Sequence, residues 1–263
     1  MTADDTTPRR QVPGPLDSAD RPRLLVVAIA ALVVFAAAFV SPPDGYDLGS
    51  DDAAGARGWF EGNASTLHVA ALSITVAALG LVVVASGVSA LVRRHLPGSM
   101  LPDMMVAGSL GTALLMLVDL ASQAVGLLLP DLVGTRLDDV DDAVVVGWTA
   151  VGGVTHLLAD LQVAFLAVAI TAGSIAALRL RLVNRWLCYA GLVVGASAML
   201  GTASILLGAT VLYPFWFVAV FGLFASMLVL SVSAFLVRRR VADAVAGADV
   251  ELREPSIAQP RET

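Results

Sequence analysis

Two carboxylates lie inside long apolar stretches of this chain, each with a polar neighbour on the same helical face. Asp119 is followed four residues later by Gln123, and His156 precedes Asp160 by the same spacing. Residues four apart face the same side of a helix. A charged side chain at the centre of a membrane-spanning helix costs about 2.5–3.5 kcal/mol, so an ionisable residue there is a functional candidate by default. We therefore predict that these four residues contribute to a site.

His68, in an earlier apolar stretch, completes a candidate polar pocket. Counted at about 1.5 Å per residue from the charge that ends each stretch, the five side chains lie about 24–37 Å deep. The pocket consists of His68, Asp119, Gln123, His156 and Asp160. Consecutive helices are usually neighbours, so we expect this pocket in the outer part of a bundle, open toward acidic loops.

Three roles fit these residue types. A hydrogen-bonded aspartate can simply join two helices. The cluster can instead bind a proton or a small solute from the outer face, because histidine titrates near neutral pH and a desolvated carboxyl can hold a proton. Imidazole and carboxylate also suit a metal ion or, for the two histidines, haem. The metal ligands would be His68, His156, Asp119 and Asp160, which lack the spacing of an HExxH motif. We favour the first two roles, with no cofactor and no enzymatic activity, and keep a membrane-embedded metal-dependent enzyme as the alternative.

The composition requires a membrane environment. Hydrophobic residues make up 57% of the chain and charged residues only 14%, against roughly 25% in soluble domains. All 16 basic residues are arginines, and only Arg57 and Arg136 lie in the segments that we assign to the outer side. Because cytoplasmic loops retain positive charge, this asymmetry predicts that both termini are cytoplasmic.

The apolar stretches predict an all-α, polytopic bundle of six transmembrane helices over residues 23–238. The predicted helices span about 24–40, 66–92, 104–129, 144–178, 186–208 and 215–237. The fourth is too long for an upright span and is expected to tilt or to protrude outward. Polar tails over 1–22 and 239–263 are too rich in charge and proline to pack in a core.

Rows of small residues predict where helices approach one another. Gly191 and Gly195 share a face of the fifth helix, and Gly222 and Ser226 share a face of the sixth. Such rows allow close backbone contact within a bundle, with a second copy or with a membrane partner. The lipid bilayer is the one partner that composition requires. No basic patch or phosphate-binding loop indicates a nucleic acid or a nucleotide.

This layout resembles a family of six-helix bacterial integral membrane proteins grouped as a domain of unknown function. The resemblance lies in an acidic outer segment after the first helix and in His156 within the fourth. Arg185 and Trp186 then open the fifth helix before Gly191 and Gly195. The resemblance implies a multi-pass protein of the bacterial inner membrane and implies no particular activity.

Overall fold

Seven α-helices in sequence make up the described part of the chain. The computed structural model of the protein describes residues 20–37, 52–134 and 136–253, including side chains except those of 123–133, 156–159 and 239–253. The helices are α1 (Arg21–Ala37), α2 (Ala53–His95), α3 (Leu101–Val133), α4 (Asp142–Asp160), α5 (Gln162–Leu180), α6 (Arg185–Leu207) and α7 (Tyr213–Arg253). Single 3-10 turns at Leu137–Asp139 and Thr210–Leu212 precede α4 and α7, and no strand occurs in these residues.

Six of the helices pack as a closed ring. Around the ring, α1 contacts α2, then come α3, α5, α6 and α7, and α7 returns to α1. Neighbours in this order run antiparallel. The Ser231 hydroxyl of α7 donates to the Ala28 carbonyl of α1 at 2.7 Å, which links the first and last members of the ring. α4 stands outside the ring, against α2 and α3.

Close backbone contact holds α3 against α5. A Cβ built on Gly108 would lie 2.5 Å from the Phe165 carbonyl oxygen and 2.7 Å from the Ala169 nitrogen. Any larger residue at this position would therefore meet the α5 backbone, which cannot move aside as a flexible side chain can. Within a bilayer, where apolar burial adds little, such close approach supplies much of the association between helices.

Arginines collect at one end of the ring, which we call the arginine end. Arg93 and Arg94 end α2 there, and α5 ends and α6 begins at the same level. Asp20, with no exposed side-chain surface, accepts from Arg94 at 2.9 Å and lies 3.4 Å from His95 Nε2. This buried carboxylate ties the start of α1 to the end of α2.

Arg57 organises the opposite end. Its guanidinium donates to the carbonyl oxygens of Leu137 at 3.2 Å and Val140 at 2.5 Å. It also pairs with Asp142 at 2.6 Å. The arginine therefore anchors the turn before α4 to the first turns of α2, where Ala56 and Val145 pack together in a small apolar cluster.

The all-α prediction is confirmed, whereas the predicted count of six helices is not. The segment predicted as one helix over 144–178 is divided at Leu161 into α4 and α5. α2 begins at Ala53 rather than near residue 66, because the Asp52 carboxylate accepts from the Gly55 N–H and caps the helix earlier. α7 continues through 239–253, which the sequence assigned to a polar tail.

Within the described residues, five segments are long and apolar enough to cross a membrane. They are Ala53–His95, Leu101–Ser122, Gln162–Leu180, Arg185–Leu207 and Thr210–Arg238. Large apolar side chains on their outer faces, such as Leu72, Leu114 and Phe221, are exposed. At about 1.5 Å per residue, α2 is about 64 Å long, which is about twice the thickness of a hydrocarbon core of about 30 Å. The first turns of α2 would therefore lie outside the hydrocarbon core.

Candidate functional site

α3 and α4 make a polar contact close in sequence to four of the predicted pocket residues. The Ser122 hydroxyl donates to the Asp119 carbonyl oxygen at 2.7 Å, and the Thr155 hydroxyl of α4 lies 2.5 Å from the Ser122 hydroxyl. Neither Ser122 nor Thr155 was among the predicted site residues. Ser122 lies one turn after Asp119, and Thr155 lies directly before His156. These positions in the sequence could have indicated a polar contact between the two helices.

His68 lies on the exposed surface of α2 and interacts with its own helix. Its Nδ1 is 2.7 Å from the Ala64 carbonyl oxygen. Asp119 and Asp160 are both half-buried. Gln123 and His156 have helical backbones, and their side chains lie outside the described residues. The described side chains contain no group of three or more His, Cys, Asp or Glu residues arranged to hold a metal ion, so the four-ligand metal site stays a prediction.

A helix junction follows Asp160, one of the predicted pocket residues. α4 ends at Asp160 and α5 begins at Gln162, with Leu161 between them and no side chain capping the new helix. The Thr112 hydroxyl of α3 lies 3.3 Å from the Gln162 carbonyl oxygen. The buried Gln162 Oε1 has no hydrogen-bond partner among the described residues. No proline or glycine marks this junction, so the sequence held no signal for it.

A cavity of about 310 Å³ lies inside the ring. Its walls come from α2, α3, α5, α6 and α7, with Leu182 and Val183 from the turn between α5 and α6. The lining is apolar except for a few small polar groups. Those groups are the hydroxyls of Ser109, Ser174 and Ser226 and the thiol of Cys188. The sequence did not predict this cavity, because its walls come from five segments distant in the chain.

The only exposed residues of the described cavity wall lie on α6 and α7, which indicates an opening between these helices toward the arginine end. The two helices are in contact farther from that end, where Gly222 lies against Val194 and Gly201 against Trp216. Between this contact and the arginine end, the cavity-lining residues Leu187, Ala190 and Ala225 are exposed on the outer surface. A molecule within the surrounding hydrocarbon would therefore reach the cavity sideways.

Three arginines occupy the turn beside this opening. Arg179, Arg181 and Arg185 are exposed, and they flank the cavity-lining Leu182 and Val183. Arg181 has a left-handed backbone, with φ of 52°, at the end of α5. None of the three forms an ion pair with an acidic side chain in the described part of the chain, in contrast to the arginines that end α2.

The glycines predicted to mark contact faces pack within this chain. Gly191 and Gly195 of α6 lie against Ser174 and Thr171 of α5. Gly222 of α7 lies against α6. Association of copies through these residues stays a prediction.

Comparison with known proteins gives no relative from which a role could be transferred. No protein-family model matches the chain, and no curated protein or solved structure is significantly similar to it. The long apolar helices and the apolar outer surface define the class: this is a multi-pass, all-helical membrane protein.

Proposed function

We propose that this chain is a non-enzymatic, lipid-binding protein of the bacterial inner membrane. In this proposal the ring cavity holds one acyl chain of a membrane lipid. The observation that carries the proposal is the apolar cavity, whose exposed wall residues on α6 and α7 would face lipid chains in a bilayer. Its volume of about 310 Å³ is near the lower end of the range of roughly 300–1,000 Å³ found for small-molecule sites.

The charge distribution supports an arginine end that faces the cytoplasm. Arginines cluster where α2 and α5 end and where α6 begins, whereas the opposite end carries acidic residues around Asp138 and Asp142 with Arg57. Membrane proteins retain positive loops on the cytoplasmic side. Both chain termini would then be cytoplasmic, and the cavity would open into the cytoplasmic leaflet.

Packing forces favour an occupied cavity. An apolar cavity does not take up water readily, and its lining atoms lose dispersion contacts when no partner faces them. Lipid chains are as apolar as the leucines that line the cavity, so a chain enters from hydrocarbon without a desolvation cost. At about 30 Å³ for a water-sized group, the cavity holds on the order of ten such groups, which suits part of one acyl chain.

A cavity-filling variant tests this proposal. Gly173 lines the cavity, and a Cβ built there would meet only Met105 Cε, at an ordinary 3.7 Å. Gly173→Phe should fill the space, whereas Gly173→Ala should leave most of it open. Native mass spectrometry should find one retained phospholipid on the wild type and on Gly173→Ala, and none on Gly173→Phe. Equal lipid retention by all three proteins would contradict the proposal.

The junction between α4 and α5 supports a second candidate function, binding of a proton or a small solute at the polar pocket. Interrupted helices often form solute sites in transporters, because the freed backbone groups face a polar cavity. Here the interruption lies between Asp160 and Gln162, whose side-chain oxygen is buried. In this candidate the pocket is reached from the outer face.

Elemental analysis separates this second candidate from the metal-dependent enzyme. Wild-type protein should be compared with His156→Ala and Asp160→Ala after purification in detergent. A stoichiometric metal that both substitutions remove would support the enzyme and justify assays of lipid and peptide hydrolysis. Solute or proton binding predicts no metal in folded wild type, together with pH-dependent binding that Asp160→Ala abolishes.

A further inference from the structure

We propose that the lipid held in the ring cavity is an anionic phospholipid of the arginine-side leaflet, recognised by Arg181 and Arg185. This inference rests on the proposed function, because it assigns a headgroup to the lipid whose chain would fill the cavity. The acyl chain lies between α6 and α7, and the phosphate lies at the turn between α5 and α6.

Selectivity for this lipid has to come from the rim of the cavity. An acyl chain gains little by moving from bilayer hydrocarbon to an equally apolar cavity, and every membrane phospholipid offers similar chains. The headgroup is what distinguishes one phospholipid from another. Polar groups within reach of the headgroup therefore decide which lipid binds.

The rim carries positive charge with no acid nearby in sequence. Residues 179–185, from the end of α5 to the start of α6, include three arginines and no acidic residue. Arg181 directly precedes Leu182, and Arg185 follows Val183 by two residues; Leu182 and Val183 belong to the cavity wall. The positive charge of arginine favours a headgroup with a net negative charge, and its N–H donors can bind the phosphate. Basic pockets between helices on the cytoplasmic side are a known form of anionic-headgroup site.

Arg181 occupies a backbone conformation that would favour glycine. With φ of 52°, it lies in the left-handed region, and its N–H donates to the Ala177 carbonyl as the cap of α5. A non-glycine residue there costs roughly 1 kcal/mol or more, and glycine or asparagine is the usual occupant. An arginine at this position keeps a charge at the cavity rim despite that cost.

The depth of the rim matches that of a phospholipid headgroup. Trp186 is 73% exposed and follows Arg185 directly, and its ring packs edge-on against that of Tyr189. Exposed aromatic rings of this kind mark the membrane–water interface. The cavity wall on α6 begins at Leu187, on the hydrocarbon side of this level. A headgroup at the arginines would therefore leave its chain at the opening.

The test compares two lipids of equal chain length and different headgroup charge. Binding of phosphatidylglycerol and of phosphatidylcholine is measured by native mass spectrometry for the wild type, Arg181→Gln, Arg185→Gln and the double variant. Arg136→Gln, at the opposite end, is the control for a change in net charge. Replacing both arginines by lysine keeps the charge and the orientation signal.

We expect the wild type to prefer phosphatidylglycerol, and each glutamine substitution to lower that preference about fivefold. Affinity for phosphatidylcholine should stay nearly constant, and the lysine and Arg136→Gln variants should keep the wild-type preference.

An unchanged preference in the double glutamine variant would overturn the headgroup assignment and leave the chain site standing. If Gly173→Phe loses all lipid and the wild type prefers phosphatidylglycerol, the chain site and the headgroup assignment are both supported. Equal retention of phosphatidylglycerol by Gly173→Phe would show that the proposed function fails, even where the arginines bind the headgroup.

Discussion

Val194 of α6 packs directly on Gly222 of α7, where an added Cβ would lie 2.5 Å from Val194 Cγ2. Both residues belong to the wall of the ring cavity. Beyond this contact, α6 and α7 pack tightly through Gly201 and Trp216. On its other side, both helices contribute exposed residues to the cavity wall. Gly222 thus permits the close approach of α6 and α7 at the cavity wall.

Gly108→Ala should destabilise the bundle. Its Cβ would meet the backbone of α5, at the Phe165 oxygen and the Ala169 nitrogen, so relief requires a helix to shift. Overpacking of this kind typically costs about 1–3 kcal/mol. Reversible unfolding in mixed detergent micelles measures the change.

Gly62→Ala is the matched control, because a Cβ at Gly62 of α2 would have no atom within 4 Å. Alanine is favoured over glycine in a helix by roughly 0.5–1 kcal/mol, so this variant should be as stable as the wild type or more so. Equal losses in both variants would contradict the packing of α3 on α5.

Arg57→Gln should loosen the turn before α4. Two carbonyl oxygens, those of Leu137 and Val140, would lose a charged donor, and hydrogen bonds to charged groups contribute about 1.5–3 kcal/mol each. Hydrogen exchange should therefore become faster at residues 137–142. Asp142→Asn is the control, since the Asp142 carboxylate is 76% exposed and an exposed ion pair contributes about 0–1 kcal/mol. If both variants exchange equally fast, the two carbonyl contacts are not what holds the turn.

The hydroxyls of Ser122 and Thr155 should show coupled effects on stability. A double-mutant cycle with Ser122→Ala and Thr155→Val measures the contact between α3 and α4. We expect a coupling of about 0.6 kcal/mol, the average for hydrogen bonds between membrane helices. Ser122→Ala with Thr75→Val should give no coupling, because Thr75 donates to Ala71 of its own helix. Strict additivity in both cycles would argue against the contact.

Sequence patterns predicted the helical class and most of the spans, because a long apolar run in a membrane leaves the backbone few alternatives to a helix. They also identified Gly191 and Gly195 as contact positions, since small residues one turn apart permit close approach. The division at Leu161 was not predictable. Leu161 itself has a helical backbone conformation, and no side chain caps α5 after it.

In the candidate sites, too, features within one helix could be predicted from the sequence, whereas features formed by several helices could not. The sequence indicates Asp119 and Asp160 as candidates because charge is rare in apolar runs. The structure adds the contact between the Ser122 and Thr155 hydroxyls, which joins α3 to α4. The ring cavity could not be inferred from any one helix, because each contributes ordinary apolar residues. The sequence contains the arginines of the turn after α5, but it does not indicate that they lie beside the cavity.

Photocrosslinking with a phosphatidylglycerol that carries a diazirine near the end of one acyl chain tests the central claim most directly. In liposomes, the account predicts crosslinks on the cavity-lining parts of α6 and α7, within residues 187–194 and 222–230, and their loss in Gly173→Phe. Crosslinks confined to outward residues such as Val26 and Leu72, and equal in the wild type and Gly173→Phe, would contradict a lipid chain in the ring cavity.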